Sequence, residues 1–261
     1  MEKLFIIKIG GNVIDQPGAY AAFLDDFAQI EGKKILVHGG GKLATDLART
    51  LGIETKMVEG RRITDAETLK VVTMVYAGLI NKSIVSGLQS RGCNALGLTG
   101  ADADVISAKK RQHPTLDYGF VGDIARVNTA TIMSFLHAGI SPVFAPLTHD
   151  GQGMMLNTNA DAIAAALAGA LLLHFKTSLI YCFDKKGVLA STQEDSVIPR
   201  LTLARYHELR KAGIISQGMI PKLDESFAAL QAGAQAVILC HASQIRLAAG
   251  GETPVGTRLS L

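Results

Sequence analysis

The chain opens on a short, nearly unbroken apolar run, Leu4 to Ile9, that stops at Gly10-Gly11. A run of that length without alternation reads as a strand buried on both faces of a parallel sheet. Ala19 to Ile30 follows with amphipathic spacing and predicts a helix. Lys34 to Val37 repeats the buried-strand pattern and is broken by His38-Gly39-Gly40-Gly41. Lys42 to Leu51 returns to helical spacing, with Gly52 in the C-capping place. Strand, helix, strand, helix is the order of a parallel sheet covered on both faces.

The rest of the chain keeps alternating. Thr64-Asp65-Ala66-Glu67 has capping-box spacing and predicts the start of a long helix toward Arg91. Ala95 to Leu98 and Ile140 to Ala145 read as strands, and Thr129 to Ala138 as a helix. Val105 to Val127, cut by proline and glycine, reads as hairpins. Asn159 to Leu172 is alanine-rich and apolar almost all round, hence a buried helix. Leu179 to Phe183 is a strand ending at Asp184; Leu201 to Ala212 and Lys222 to Ala232 are helical; Ala236 to Cys240 is a further strand. No repeat or linker interrupts the pattern. The softest boundary is near Leu173 to Thr177, which divides an N-terminal lobe, 1–174, from a C-terminal lobe, 175–261.

Composition narrows the function classes. At 261 residues and 48% apolar content, the chain supports one large α/β domain or two lobes, and disorder is not expected. The net charge of +3 comes without a lysine and arginine stripe, which suits small anionic substrates and argues against nucleic acid. Cys93, Cys182 and Cys240 are odd in number and sit among apolar or small neighbours, so they read as reduced, buried thiols. The first residues do not resemble an export leader, and no apolar run approaches the ~18 residues of a membrane helix. A soluble, cytoplasmic protein with no membrane partner is expected.

Four segments suggest a polyphosphate beside a carboxylate. Lys8 ends an apolar strand, at the sheet edge where open α/β folds bind ligands, and a lysine there needs an anion or solvent. Gly39-Gly40-Gly41-Lys42 joins a strand to a helix and could expose N–H groups to phosphate, or be an ordinary turn. It is not a P-loop, and the first strand is not followed by G-x-G-x-x-G. In Asn157-Thr158-Asn159-Ala160-Asp161, Asn159 suits a helix cap, while Asp161 stabilises a first turn or pairs with Lys8. In Gly218-Met219-Ile220-Pro221-Lys222, proline suits the first helical position. Lys222 then opposes the helix dipole at a cost of about 0.3–1 kcal/mol, which hints at a functional cation. Arg62, just before the capping box, could grip a carboxylate or lie on a solvated face.

Together these motifs resemble the amino-acid kinase family, and within it the acylglutamate branch. Lys8-Ile9-Gly10-Gly11, His38 to Gly41, Gly60 to Thr64, Asn157 to Asp161, Asp184 to Val188 and Gly218 to Lys222 match its motifs in order along nearly the whole chain. The resemblance implies a three-layer α/β/α sandwich around a mainly parallel sheet of about eight strands. It implies transfer of the γ-phosphoryl group of ATP, with Mg²⁺, to the γ-carboxylate of N-acetyl-L-glutamate or N-succinyl-L-glutamate, a step of arginine biosynthesis. The ATP would sit on the C-terminal lobe; the acyl-glutamate site and the dimer face would lie on the N-terminal one.

By the same resemblance Lys8, Asp161 and Lys222 are catalytic. Gly10, Gly11, Gly41, Asp184 and Gly187 hold the ATP phosphates. Gly40, Gly41, Arg62, Asn157 and Asn159 hold the acyl-glutamate. The acceptor carboxylate has a pKa near ~4.3 and is already ionised at neutral pH, so no general base is needed. Arg61 replaces a leucine usual in the branch and Lys42 replaces a frequent proline; both could meet a carboxylate on a succinyl group or simply face solvent. Arginine-inhibited members carry an N-terminal helix that joins dimers into hexamers, which here predicts a homodimer insensitive to arginine. Sister kinases acting on carbamate, glutamate or a nucleoside monophosphate, and a non-catalytic nucleotide sensor, stay open.

Overall fold

A computed structural model describes residues 1–58, 61–191, 193, 195–215, 218–251 and 254–261. Fourteen strands are described: β1 (Lys3–Ile9), β2 (Lys33–His38), β3 (Met57–Val58), β4 (Arg61–Arg62), β5 (Ala95–Leu98), β6 (Ile106–Lys110), β7 (Gly122–Val127), β8 (Ser141–Phe144), β9 (Leu147–His149), β10 (Met155–Asn157), β11 (Lys176–Phe183), β12 (Arg200–Thr202), β13 (Ala236–His241) and β14 (Thr257–Ser260). The α-helices are α1 (Gly11–Ile14), α2 (Pro17–Gln29), α3 (Gly41–Thr50), α4 (Ala66–Val72), α5 (Asn81–Gln89), α6 (Thr129–His137), α7 (Ala160–Ala170), α8 (Leu203–Lys211), α9 (Ile220–Gln231) and α10 (Ile245–Gly250).

The main sheet has eight strands in the order β12-β14-β13-β11-β1-β2-β8-β5. All its neighbours run parallel except β13 and β14. This is the expected architecture. Side chains alternate across β1: Leu4 and Ile6 pack with α6 to α9, whereas Phe5, Ile7 and Ile9 pack with α2, α3, α4, α5 and α10. Each face thus buries its own apolar layer, which is why the central strands read as continuous hydrophobic runs. A smaller sheet, β10-β9-β6-β7, and the β3-β4 hairpin sit beside it.

The structure corrects several local expectations. The helix at 66 is capped by Asp65, not Thr64: its carboxylate accepts from the Thr68 N–H at 2.8 Å, and its charge suits the amino end. The segment from Leu201 splits into β12 and α8, because the Thr202 hydroxyl accepts from the Arg205 N–H and starts the helix there. Helix α9 begins at Ile220, before the expected Lys222, so Pro221 is its second residue and Lys222 its third. Strands β9 and β10 and helix α10 are too short for a periodic signal and were not expected.

Helices α4 and α5 are joined without a break by a π-helical stretch, Thr73–Ile80. The resulting 24-residue helix is long and apolar enough to span a membrane, unlike the sequence expectation. Its Val71, Val72, Val75, Ile80, Ile84 and Leu88 are packed into the protein's own core.

Gly119 fixes the short strand before that helix. It forms an isolated bridge with Thr64 and has a φ of +71°. A Cβ there would lie 2.1 Å from the Thr64 carbonyl oxygen. Backbone cannot move aside as a side chain can, so Gly119→Ala is expected to cost more than about 2 kcal/mol in chemical denaturation. A change under about 0.5 kcal/mol would contradict this packing.

Candidate active site

The alternation of β1 puts Lys8 on the same face as Leu4 and Ile6, toward α7. It stands beside Val37 of β2 and Tyr181 of β11, at the carboxyl end of the parallel sheet. Asn159 caps α7: its side-chain oxygen accepts from the N–H groups of Asp161 at 2.7 Å and Ala162 at 3.1 Å. That cap turns Asp161 into the first turn, facing Lys8. Helix α9 delivers Lys222 from the other side.

The three side chains meet. Asp161 Oδ1 lies 2.9 Å from Lys8 Nζ, as a charge contact, and Oδ2 accepts a hydrogen bond from Lys222 Nζ at 2.7 Å. Their exposures of 12%, 18% and 13% (Lys8, Asp161, Lys222) leave them reachable from a cleft but poorly solvated. Burial opposes the Asp161 charge, but the two ammonium groups outweigh it and hold the carboxyl well below its usual range. Burial and the Lys8 charge push Lys222 down to about 8, against the pull of Asp161. Two cations share one anion, so the cluster carries surplus positive charge that a further anion would balance.

Above the cluster is a cavity of about 200 Å³ lined by Gly40, Gly41, Arg61, Arg62, Asn157 and Asn159, with Lys8 and Asp161. The Arg62 guanidinium is buried and donates to the Gly41 carbonyl at 2.8 Å, Thr45 Oγ1 at 2.8 Å and Thr55 Oγ1 at 3.1 Å. Those bonds hold it at the cavity rim. The Asn157 amide donates to Thr64 Oγ1 at 3.0 Å, and Thr64 donates to the Arg62 carbonyl at 3.1 Å. Gly41, Arg62 and Asn157 are thus linked through Thr64, while Asn159 bonds to its own helix. Gly60, which opens the Arg61-Arg62 motif, lies outside the described residues.

The two glycine turns abut. A Cβ on Gly39 would lie 3.2 Å from the Gly11 N–H nitrogen. Gly40 has φ +153°, and a Cβ there would lie 2.2 Å from Ile80 Cδ1 and 3.3 Å from the Tyr76 ring. The π-helical stretch is what brings Tyr76 and Ile80 to this place. Helix α3 starts at Gly41 with no side-chain cap, so its first N–H groups are free for an anion. Gly10 anchors the first turn through its N–H to the Cys182 carbonyl at 3.0 Å. The cradle suits phosphate groups, which need close backbone approach and no side chain.

Asn12 donates to Asp184 at 3.2 Å, which ties the first glycine turn to the loop after β11. Gly187 of that loop lines a separate cavity of about 590 Å³ with Val188, Leu189, Ile214, Ile215 and Met219, apolar enough for a purine base. Among the described residues, no three His, Cys, Asp or Glu side chains gather as a metal site.

Lys42 is not brought to the cavity: it is 67% exposed and its ammonium lies 3.9 Å from Asp15. Arg61 does line the cavity, and also the adjoining groove. Tyr76 and Tyr181 are site residues that sequence reasoning missed. Both sit in apolar runs, where an aromatic looks like core, and only the π turn and the β1–β11 register reveal them. Cys93, Cys182 and Cys240 are buried free thiols, as expected.

The amino acid kinase family model matches residues 3–241. The chain is 55% identical to a protein named acetylglutamate kinase from Cytophaga hutchinsonii, over 99% of both chains. It is 56% identical to a protein of the same name from Bacteroides thetaiotaomicron, over 94% of this chain and 96% of that one. Among solved structures, smu.665 from Streptococcus mutans superposes with a TM-score of 0.80 at 27% identity, covering 98% of each chain. On the motifs, the fold and this similarity, the chain belongs to the amino acid kinase family.

Proposed function

We propose that this protein transfers the γ-phosphoryl group of ATP to the γ-carboxylate of N-acetyl-L-glutamate. The observation that carries the reading is the Lys8–Asp161–Lys222 cluster beneath a cavity rimmed by Arg62 and Asn157. The names of its relatives support the same substrate. In this reading Arg62 and Asn157 grip the α-carboxylate and amide, and Gly40, Gly41 and Asn159 shape the site around them. Gly11 and Gly41 receive the phosphates, Gly10 holds the first turn in place since its own N–H is bonded to Cys182, and Asp184 and Gly187 lie beside the nucleotide.

A γ-carboxylate oxygen attacks the γ-phosphorus while the bond to the β–γ bridging oxygen breaks, and ADP leaves with that electron pair. No proton moves. Lys8 and Lys222 neutralise charge on the equatorial oxygens, and Asp161 keeps both ammonium groups aimed at one point. Mg²⁺, carried on the nucleotide, would add further neutralisation.

Hydroxylamine trapping of the acyl phosphate, with coupled ADP detection, tests the reaction. Lys8→Ala and Lys222→Ala are each expected to lower kcat by roughly a hundred- to a thousand-fold; near-normal turnover in both would remove the two lysines from the chemistry, and a wild-type chain that makes no acyl phosphate would favour a sensor. The pH profile adds a signature. Lys222 titrates near 8 in the folded protein and near 10.5 when unfolded, so kcat/KM should fall as pH rises past about 8. The unfolded chain holds the extra proton between those values, so this group's contribution to stability rises with pH there while activity falls. Lys222→Arg, charged throughout, should lose that alkaline limb.

A second reading concerns the acyl group. Arg61 lines both the cavity and the adjoining groove of about 340 Å³, where it could meet a terminal carboxylate of N-succinyl-L-glutamate. If so, kcat/KM favours the succinyl substrate and Arg61→Leu erodes that preference by about tenfold or more. A clear wild-type preference for the acetyl form removes this reading.

The division of labour follows the sheet. Residues 1–174 would hold the acyl-glutamate and residues 175–261 the ATP, meeting where β1 pairs with β11. We also propose a cytoplasmic homodimer. Buried free thiols suit a reducing compartment. Met74 and Leu79 are 53% and 59% exposed, five residues apart on the π-helical stretch, and so share one face that a second copy could cover. Light scattering should return twice the chain mass, and Met74→Glu with Leu79→Lys should return the monomer.

A further inference from the structure

Tyr181 neighbours all three members of the cluster without being one of them. It pairs in register with Lys8 on the neighbouring parallel strand, so both side chains leave the sheet on the same face. The Lys222 ammonium lies 5.0 Å from the centroid of its ring. Its hydroxyl donates to the Asp161 carbonyl oxygen at 3.3 Å, in the first turn of α7. The residue is fully buried. Burial, reinforced by the Asp161 charge, raises its phenol well above the usual value, so the hydroxyl stays a donor.

We propose that Tyr181 is a positioning residue for phosphoryl transfer: its ring face holds the Lys222 ammonium in the charged form, and its hydroxyl fixes the turn that carries Asp161. The inference rests on the kinase reading of Lys222. A desolvated ammonium over an aromatic face is attracted to the ring quadrupole. Asp161 pulls the same ammonium toward itself, and Lys8 repels it. The ring supplies attraction from a third direction without adding a second negative charge. A carboxylate in its place would neutralise the surplus charge that the transferring group needs.

The groups around Lys222 are few. Lys8 comes from β1, Asp161 from α7 and Tyr181 from β11; the buried Cys182 thiol, next along β11, belongs to the opposite face of the sheet but feels the Lys222 charge. On its own helix are Asp224, engaged by Tyr206 and Arg210, and Glu225, whose carboxyl is raised by burial against the Arg61 charge. Among these described residues the Tyr181 ring is the one aromatic contact on the ammonium.

Fluorination of the ring weakens its quadrupole with little change of shape, which separates this role from core filling. Phenylalanine and its mono-, di- and trifluoro forms would be placed at 181 in the full chain. Two readouts are taken: the alkaline limb of kcat/KM, and the titration of Lys222 followed through its carbon-13-labelled Cε in the ligand-free protein. Both midpoints should step downward with each fluorine, by about one pH unit across the series, with melting temperatures nearly constant. In a Lys222→Arg background the kinetic series should be flat. A Lys222 titration that stays put across the fluorinated forms overturns the proposal, whether or not the enzyme turns over. Absence of any acyl-phosphate product from the wild-type chain would instead overturn the kinase reading, and the titration would still decide the role of the ring. Tyr181→Phe should cost a few-fold in kcat, with KM for both substrates within about twofold; a loss equal to that of trifluorophenylalanine would assign the effect to the hydroxyl and overturn the ring's part.

Discussion

One carboxylate held between two poorly solvated ammonium groups is the constraint on which this site depends. Asp161 gives each lysine a fixed direction, 2.9 Å from Lys8 and 2.7 Å from Lys222, yet cancels only one of their charges. Removing the aspartate would leave two like charges facing each other in a medium that screens them weakly. Keeping it yields a rigid pair of cations with one charge to spare, which is what stabilising a migrating phosphoryl group requires.

The fold is what makes such a pair affordable. Lys8 belongs to a strand whose apolar side chains, Leu4 to Ile7 and Ile9, are buried on both faces, Asp161 to an almost wholly apolar helix, and Lys222 to a helix start. Each charge sits at the end of its element, where the packing stops and the cleft begins. The same edge holds the two glycine turns and the uncapped start of α3, so backbone dipoles and ammonium groups face one space. The unpaired requirement for an anion is therefore shared between side chains and main chain.

The π-helical stretch shows how a distant element shapes this edge. A regular α-helix from Ala66 to Gln89 would present a different face at Tyr76 and Ile80. With the wider turn, both side chains close over Gly40, whose φ of +153° is what calls for glycine, since the Ile80 methyl above it is a side-chain end that can turn aside. Arg62, tied to Gly41 and Thr45, and Thr64, tied to Gly119 and Asn157, then complete the rim from the loop before that helix.

Much of this was legible beforehand. Apolar runs such as Leu4 to Ile9 announced central strands, because a buried parallel strand must be hydrophobic on both faces. Lys8, Asp161 and Lys222 stood out as charges against apolar or dipolar preference, and the glycine turns as breaks between strand and helix. Short elements such as β9, β10 and α10 carried too few residues for a period, and the cap at 66 fell on Asp65 because a carboxylate reached the right N–H group. Local chemistry along the chain thus determined which elements form and which residues resist burial. Tertiary structure alone decided that Arg61 lines the cavity while Lys42 pairs with Asp15, and that Tyr181 lies beneath Lys222. Those outcomes depend on strand register and helix approach across more than a hundred residues in some cases, distances over which no sequence period carries information.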